Sequence, residues 1–208
     1  MKEDLLIIPG TPVLVPELSV GDPDAEELRA VVLSELSVVL DRATVPPKIV
    51  RLEQLGQDTA IEGSFRAWGA DVSVGVGHYL PELVARWALS EFGVSGHQIL
   101  ATDRIPQTGP VIVVTDGPAA LSAAAPLTLM PEAVTLDDAC RAIAGGTAVR
   151  EAAAVIRAGD TEACGLYSAD LWLQLADRSQ DLGADVLHTR AYDAAPYGVG
   201  YHVARWSW

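Results

Sequence analysis

The 208-residue sequence predicts an α/β fold, a single domain over residues 1–208 with a mixed, mostly central β-sheet flanked by helices. Three observations lead to this prediction. Short apolar runs alternate with helical patterns along the first half of the chain. The second half carries several helical patterns in succession and closes with two strands. The composition, 50% hydrophobic and 20% charged, supplies enough apolar side chains for a full core.

The elements of the first half follow from apolar runs and the residues that break them. The run LLIIP predicts a buried strand that ends at Pro9, and a proline-rich loop follows it. Apolar side chains at helical spacing predict a helix from Asp22 to about Arg42. A second helix is expected from Pro81 to about Phe92, since proline suits a first helical turn. Four further strands are expected over residues 48–52, 71–76, 99–101 and 111–115.

The second half is expected to contain three helices before its closing strands. Thr135-Leu-Asp-Asp138 resembles a capping box that opens the first helix, and Gly145-Gly146 is a natural stop for it. Thr147 and Ser168 are expected to cap the next two helices, over residues 148–158 and 169–182. The closing strands cover residues 185–192 and 199–206 and are joined by the turn-forming sequence AAPYG.

The acidic composition argues against two classes of partner. The chain has 28 acidic and 14 basic side chains, a formal charge of −14. Nucleic acid and anionic membrane surfaces both require a basic face, so neither is expected as a partner. The longest apolar-rich stretch, residues 119–130, is shorter than the ~20 residues of a membrane span. The start of the sequence lacks the apolar run of a signal peptide, and we therefore expect a soluble, cytoplasmic protein.

Candidate binding residues lie mainly in loops that follow strands, because ligands of open α/β sheets bind beyond the carboxyl ends of the strands. These loops cover residues 9–16, 53–63, 115–120 and 193–198. The sequence Asp116-Gly117-Pro118 is also typical of a plain turn. The predicted binding residues, one of them at the start of a late helix, are Gly10, Thr11, Gln57, Asp116, Gly117, Asp170, Pro196 and Tyr197.

The histidines and cysteines form no recognisable metal motif. No two histidines are spaced i, i+4, and the two cysteines, Cys140 and Cys164, have no zinc-site spacing. His78 stands at a strand-to-helix junction, whereas His188 and His202 are expected within strands. A metal site built from one of these three histidines and a carboxylate stays open as an alternative.

Several stretches of the sequence resemble one protein family. IIPGTPVLVPEL is similar to a family segment that reads PHPPLLVPEL, and YDAAPYGVGYHVARW is similar to the closing strand pair of the same proteins. GSFRAWGADVSV and VVTDGPAAL fit between them in the same order. On these motifs the chain resembles the small stand-alone LigB-like proteins. They are related to the catalytic B subunit of class III extradiol ring-cleavage dioxygenases and to the Memo proteins, and the resemblance implies their α/β fold.

The resemblance also implies an iron site, from which this sequence departs. The dioxygenases hold Fe(II) with two histidines and one glutamate, and a further histidine acts as acid and base on the catechol. The matching positions here carry Gly10, a loop over residues 54–58 without histidine, Asp116 with Gly117, and Asp170 as the nearest acid. These residues do not supply the ligands that Fe(II) requires, so no cofactor is expected, and a shared fold does not imply a shared activity.

Three functions follow from this sequence as hypotheses. The first is a metal-free pseudoenzyme with a binding or accessory role, whose partner is a small aromatic or other small molecule. The second is an enzyme that reuses the same crevice with other residues, such as Asp116, Asp170, Tyr197, and His78 or His202. The third is an active extradiol dioxygenase that cleaves aromatic rings. By analogy with the family, a homodimer is also expected.

Overall fold

The computed structural model describes residues 3–53 and 56–208. The proline-rich loop after the first strand forms two 3-10 turns, Pro12–Leu14 and Pro16–Leu18. The helices and strands of the described residues are, in chain order, β1 (Asp4–Ile8), α1 (Pro23–Arg42), β2 (Lys48–Val50), α2 (Leu80–Ser90), β3 (Ala101–Thr102), β4 (Val111–Val114), α3 (Pro131–Ala144), α4 (Val149–Ala158), α5 (Ala169–Leu182), β5 (Leu187–Ala194) and β6 (Tyr201–Ser207).

The strands form one mixed sheet in the order β3-β2-β4-β1-β6-β5. β2 pairs in parallel with β3 and with β4, and β5 pairs antiparallel with β6. This arrangement confirms the predicted α/β class with a mixed sheet. None of the described helices combines the length and the apolar character that crossing a membrane requires.

The described chain divides into two compact units. The first contains the residues up to Leu6 and those of Gly10–Val114, and the second contains Ile7–Pro9 and Thr115–Trp208. Strand β1 contributes residues to both units. The expectation of a single domain over residues 1–208 stays a prediction.

The first unit contains α1, α2 and the strands β2, β3 and β4. Asp22 caps α1, because its Oδ1 accepts the backbone N–H groups of Asp24 at 3.1 Å and Ala25 at 3.2 Å. α2 packs against α1, β2 and β4. The charges that α2 buries are paired, since Arg86 Nε donates to Glu82 Oε1 at 2.8 Å.

The second unit contains α3, α4, α5 and the β5–β6 pair. The three helices pack on one another, and α3 also packs against both strands. Trp172 of α5 and Trp206 of β6 are fully buried, and Trp206 Nε1 donates to Ala144 O at 2.8 Å. The Arg178 guanidinium lies over the ring of Trp208, 5.2 Å from its centroid. Both terminal tryptophans therefore have packing partners inside this unit.

The predicted strand over residues 71–76 is wrong. Among the described residues only an isolated bridge between Ser64 and Ser73 forms there. Gly75 and Gly77 have φ values of +89° and +106°, and strands of L-residues do not use this left-handed backbone. The loop is held instead by bonds such as the one from Gly63 N–H to Gly77 O at 2.7 Å.

The predicted starts of the first two helices in the second half are wrong, whereas α5 begins at residue 169 as predicted. α3 begins at Pro131, because proline is pre-set for the first helical position, and Thr135 therefore lies inside the helix. Thr147 does not cap α4. Ser168 does occupy the N-cap position of α5, but its hydroxyl donates to Asp116 O at 3.1 Å instead of accepting a helix N–H.

Candidate functional site

Three of the predicted binding residues belong to the first unit. Gly10 and Thr11 are buried after β1. Gln57 is half-buried, its carbonyl accepts the Leu80 N–H at 2.7 Å, and its side-chain Oε1 makes no hydrogen bond within the described residues. Residues 54 and 55, in the loop where the resemblance implies a second iron ligand, lie outside the described residues.

Gly10 stands where the resemblance implies the first iron-ligating histidine. A Cβ built on Gly10 would lie 3.2 Å from Pro81 Cβ and 3.4 Å from Val114 Cγ1. Pro81 is in the first turn of α2 and Val114 ends β4, so both neighbours are fixed by regular elements. Since protein interiors are close-packed, an imidazole here would have to displace them. The residues present at this position do not fit the iron of the family.

The other predicted binding residues belong to the second unit. The Asp116 carbonyl accepts a hydrogen bond from Trp172 Nε1 at 2.9 Å and another from Ser168 Oγ at 3.1 Å. Asp170 is exposed in the first turn of α5, where its negative charge interacts favourably with the positive end of the helix dipole. Pro196 is half-buried in the turn between β5 and β6.

Two of the predicted loops meet inside the second unit. Gly117 N–H donates to Gly200 O at 2.7 Å, and Gly200 N–H donates to Pro118 O at 2.9 Å. Tyr197, in the turn that precedes Gly200, is half-buried, and its ring centroid lies 6.1 Å from that of Tyr201. Leu121 N–H also donates to Gly198 O at 3.0 Å, so the structure joins residues 117–121 to residues 198–200, at the adjoining ends of the two predicted loops.

Four charged side chains of the second unit form a closed ring. His202 Nε2 lies 3.0 Å from Asp137 Oδ1, and His202 Nδ1 lies 3.3 Å from Asp193 Oδ1. The Arg141 guanidinium closes the ring at 2.9 Å from Asp137 Oδ2 and 2.5 Å from Asp193 Oδ2. Basic and acidic groups therefore alternate. We refer to Asp137, Arg141, Asp193 and His202 as the charge ring.

Regular structure positions the members of the charge ring in pairs. Asp137 and Arg141 share one face of α3, because residues four apart in a helix are neighbours. Asp193 and His202 are direct cross-strand partners in the β5–β6 pair. α3 packs against both strands and so brings the two pairs together. Gly200 leaves the space for the Asp137 carboxylate, since a Cβ built on Gly200 would overlap Asp137 Oδ1.

Burial differs around the charge ring. The His202 side chain is 2% exposed and that of Asp137 is 8% exposed, whereas Asp193 and Arg141 are 23% and 34% exposed. Burial alone would lower the pKa of His202, but its contacts with Asp137 and Asp193 outweigh burial and raise it. Burial alone would raise the pKa of Asp193, yet His202 and Arg141 lower it from 3.8 to about 2. Both shifts favour the ionised forms.

Further groups surround the charge ring. Arg141 Nη1 also pairs with Asp138, and Arg190 Nη1 lies 3.6 Å from Asp193 Oδ2. Cys140 is a free, buried thiol of α3, and burial raises its pKa well above the usual value. The edge of the Trp172 ring system faces His202, with centroids 5.5 Å apart and planes at 90°.

The charge ring does not fit a metal site, although Asp137, Asp193 and His202 each offer a ligand atom within 4.8 Å of the others. The two carboxylates lie against opposite nitrogens of one imidazole, so they do not converge on a single lone pair. Arg141 also takes the second oxygen of each carboxylate. With protonated His202 the two positive and two negative charges cancel, and little net charge remains to attract a cation.

Asp137 and Arg141 were not among the predicted site residues. The capping-box interpretation assigned Asp137 to a helix start, whereas it lies on the buried face of α3 beside Leu136 and Cys140. An Asp–Arg pair at i, i+4 was the available signal, but such pairs usually lie on solvated helix faces. Asp193 begins the predicted loop over residues 193–198 but was not among the predicted site residues either.

Among residues 3–53 and 56–208, the remaining histidines belong to no group of three potential metal ligands. His78 is exposed, and its Nδ1 lies 3.1 Å from Thr59 O. His97 is exposed, as its glycine-rich surroundings predict. His188 lies within β5, as predicted, with its ring 5.0 Å from that of Trp206, and burial lowers its pKa.

A surface cavity of about 560 Å³ lies in the first unit, beyond the carboxyl ends of the parallel strands β2 and β3. The Arg51 guanidinium is 12% exposed and pairs with Glu82 Oε2 at 3.3 Å and with Glu53 Oε1 at 3.2 Å. It also covers the Tyr79 ring, 4.6 Å from the centroid. The lining residues are Arg51, Leu52, Glu53, Ala101, Thr102 and Asp103.

The chain matches no family model. It matches no curated protein sequence either. The LigB-like resemblance therefore depends on the motifs of the sequence.

Proposed function

We propose that this chain is a metal-free, LigB-like protein that binds a small molecule and does not cleave aromatic rings. The single observation that carries the proposal is the packing at Gly10. A Cβ there would lie 3.2 Å from Pro81 and 3.4 Å from Val114, so a histidine at the position of the family's first iron ligand would crowd both neighbours, and glycine itself offers no ligand.

Two other positions support the same proposal. The Asp116 carbonyl already accepts hydrogen bonds from Trp172 and Ser168, and this fixes the turn where the family has its acid–base histidine. Asp170 is exposed and stabilises the start of α5. None of these groups supplies a nitrogen ligand to iron.

The cavity beyond β2 and β3 is the binding site we propose, because ligands of α/β sheets bind beyond the carboxyl ends of strands. Its lining is rich in acceptors, since Glu53 is 61% exposed and Asp103 is also a carboxylate. Carboxylates accept hydrogen bonds from hydroxyl and amino groups. A small molecule with such donors, for example an aromatic diol, matches this chemistry.

An experiment with three readouts tests the proposal. Protein purified without chelator is analysed for metal content, titrated anaerobically with Fe(II), Mn(II) and Zn(II), and assayed for ring cleavage of catechol. We expect no stoichiometric metal and no ring-cleaved product. A stoichiometric metal or a ring-cleaved product would overturn the proposal.

Binding is tested separately, by thermal unfolding and equilibrium dialysis with catechol as the probe. We expect stabilisation without turnover, since a ligand that binds only the native state raises Tm. Glu53→Gln should weaken this binding, whereas Glu17→Gln, also on the surface, is the matched control. Catechol binding that Glu53→Gln leaves unchanged would contradict the proposed site.

The charge ring favours a second candidate function, an enzyme that uses other residues, because perturbed acid and base groups cluster at active sites. It is the weaker candidate, since His202 is 2% exposed and both of its nitrogens face carboxylates. A homodimer stays a prediction that light scattering would test. The cytoplasmic location and the absence of nucleic-acid partners also stay predictions.

A further inference from the structure

We propose that protonated His202 is a pH-sensitive latch that fastens the β5–β6 pair to α3 and keeps residues 195–200 docked on residues 117–121. The inference is independent of the proposed small-molecule site, which lies in the first unit.

The two nitrogens of His202 explain why the proton matters. Nε2 is hydrogen-bonded to Asp137 Oδ1 at 3.0 Å, whereas Nδ1 lies 3.3 Å from Asp193 Oδ1 without the geometry of a hydrogen bond. A neutral imidazole carries only one N–H, so its second nitrogen would direct a lone pair at a carboxylate oxygen. Only the imidazolium offers a proton on both sides. Water is a poor substitute, because His202 is 2% exposed.

The charges that face His202 come from two elements. α3 contributes Asp137, Asp138 and Arg141, and β5 contributes Asp193 and Arg190. Within the described part of the chain, α5 contributes the edge of Trp172, which is an uncharged contact. Asp138 and Arg190 have opposite signs and offset each other. Loss of the His202 proton therefore leaves two carboxylates with Arg141 alone, an excess negative charge in a largely buried cluster.

The carboxylate of Asp137 connects the charge ring to the docked segments. It lies directly against Gly200 and against Gly117, since a Cβ on Gly117 would be 2.9 Å from Asp137 Oδ1. The same two glycines are joined by the Gly117 N–H to Gly200 O bond at 2.7 Å. Leu121 N–H donates to Gly198 O at 3.0 Å, further along the same contact. A shift of Asp137 when the charge of the ring changes would therefore disturb these backbone hydrogen bonds.

The sign of the pH dependence follows from the two carboxylate contacts. The pKa of His202 is raised above its usual 6.5. Its stabilisation of the docked contact is therefore fully present below pH 6.5 and is lost as the pH rises through the higher pKa of the docked state. His188 acts in the opposite direction, because burial lowers its pKa and its contribution is lost as the pH falls below 6.5. An experiment must therefore separate the two histidines.

The test is a titration of the intact protein between about pH 5 and about pH 9, which spans histidine ionisation. NMR of the imidazole nitrogens follows His202, and hydrogen exchange follows the amides of Gly117, Gly200 and Leu121, corrected for the intrinsic effect of pH. Amides of Ala152 and Cys164, which bond within the α4 region and its following turn, are the references.

We expect His202 to titrate above 6.5 and the protection of the three reporter amides to fall with that titration, while the reference amides keep theirs. The protection of the reporter amides should fall about tenfold for each pH unit by which the pKa of His202 in the docked state exceeds its pKa in the undocked state. Titration at or below 6.5, unchanged reporter protection, or an equal loss at the reference amides would each overturn the latch.

Two variants assign the effect to His202. His202→Gln should abolish the pH dependence of the reporter amides, and His188→Gln, altered on the neighbouring strand, should retain it. Where His202→Gln fails to fold, Asp137→Asn gives the second measurement, because loss of one facing carboxylate should move the titration of His202 to lower pH. A titration that Asp137→Asn leaves in place would refute the assigned contact.

Discussion

Replacing Gly200 by alanine is the most direct test of the contact between Asp137 and the turn before β6. The new Cβ would overlap Asp137 Oδ1 and lie 3.1 Å from Asp137 Cγ. The φ of Gly200 is outside the left-handed region, so backbone strain adds nothing. Most of the cost of the substitution therefore comes from the displaced carboxylate, and a smaller part comes from Gly117 Cα, 3.3 Å from the new Cβ.

The magnitude follows from what the displaced carboxylate loses. Asp137 would give up its 3.0 Å hydrogen bond to His202 Nε2, and hydrogen bonds of charged groups contribute about 1.5–3 kcal/mol. Overpacking a filled space costs about 1–3 kcal/mol more. We expect Gly200→Ala to lower the free energy of unfolding by about 2.5–6 kcal/mol, a large share of the stability of an ordinary domain.

Urea unfolding of a double-mutant cycle with Asp137→Ala measures this contact. In the Asp137→Ala background the new methyl meets no carboxylate, so Gly200→Ala should cost less than about 1 kcal/mol. Gly183→Ala is the control, because a Cβ there meets nothing within 4 Å and only its φ of +75° is strained. A Gly200→Ala variant no less stable than the Gly183→Ala variant, or equally destabilised in both backgrounds, would refute the reasoning.

Three other substitutions give separate predictions. Gly10→His should crowd Pro81 and so lower Tm, at a cost of about 1–3 kcal/mol in a thermal unfolding measurement. The variant should also bind no stoichiometric iron in elemental analysis, and tight iron binding would contradict this prediction. The pKa of Asp193 is about 2, so its contribution to stability is present above its usual 3.8 and lost as the pH falls through about 2. Asp193→Asn should therefore flatten acid unfolding over this range by about 1–2 kcal/mol after solvent screening, and an unchanged acid profile would oppose this. Trp172→Phe removes the 2.9 Å hydrogen bond to Asp116 O and should lower the free energy of unfolding in urea by about 1–3 kcal/mol. A variant as stable as the wild type would show that this hydrogen bond is unimportant.

Local patterns predicted the regular elements wherever one signal dominated. Asp22 followed by proline and a long apolar stripe defined α1, and an unbroken β-branched run defined β4. The errors arose where two signals competed. Pro131 and Thr135 both indicate a helix start, and the structure uses the proline. Residues 71–76 alternate like a strand, but the left-handed backbone of Gly75 interrupts them.

The charge ring was harder to predict because its contacts are distant in sequence. Asp137 and His202 are separated by 65 positions, and no periodicity or spacing records such a contact. The pairing of Asp193 with His202 depends on the register of β5 and β6, which includes an irregularity between Arg190 and Tyr192. A strand prediction without that irregularity cannot assign which residues stand opposite each other.

The two proposed sites differ in how their charges are balanced, and this difference determines how each could be used. The cavity of the first unit leaves the Glu53 carboxylate 61% exposed, so an incoming ligand can still form hydrogen bonds with it. In the charge ring both oxygens of Asp137 and both of Asp193 already face a cation, and a ligand would have to replace an existing partner. Adding or removing one proton at His202, by contrast, changes the balance of the whole ring without requiring entry of another molecule. The cavity is therefore suited to binding, and the charge ring is suited to controlling a conformation.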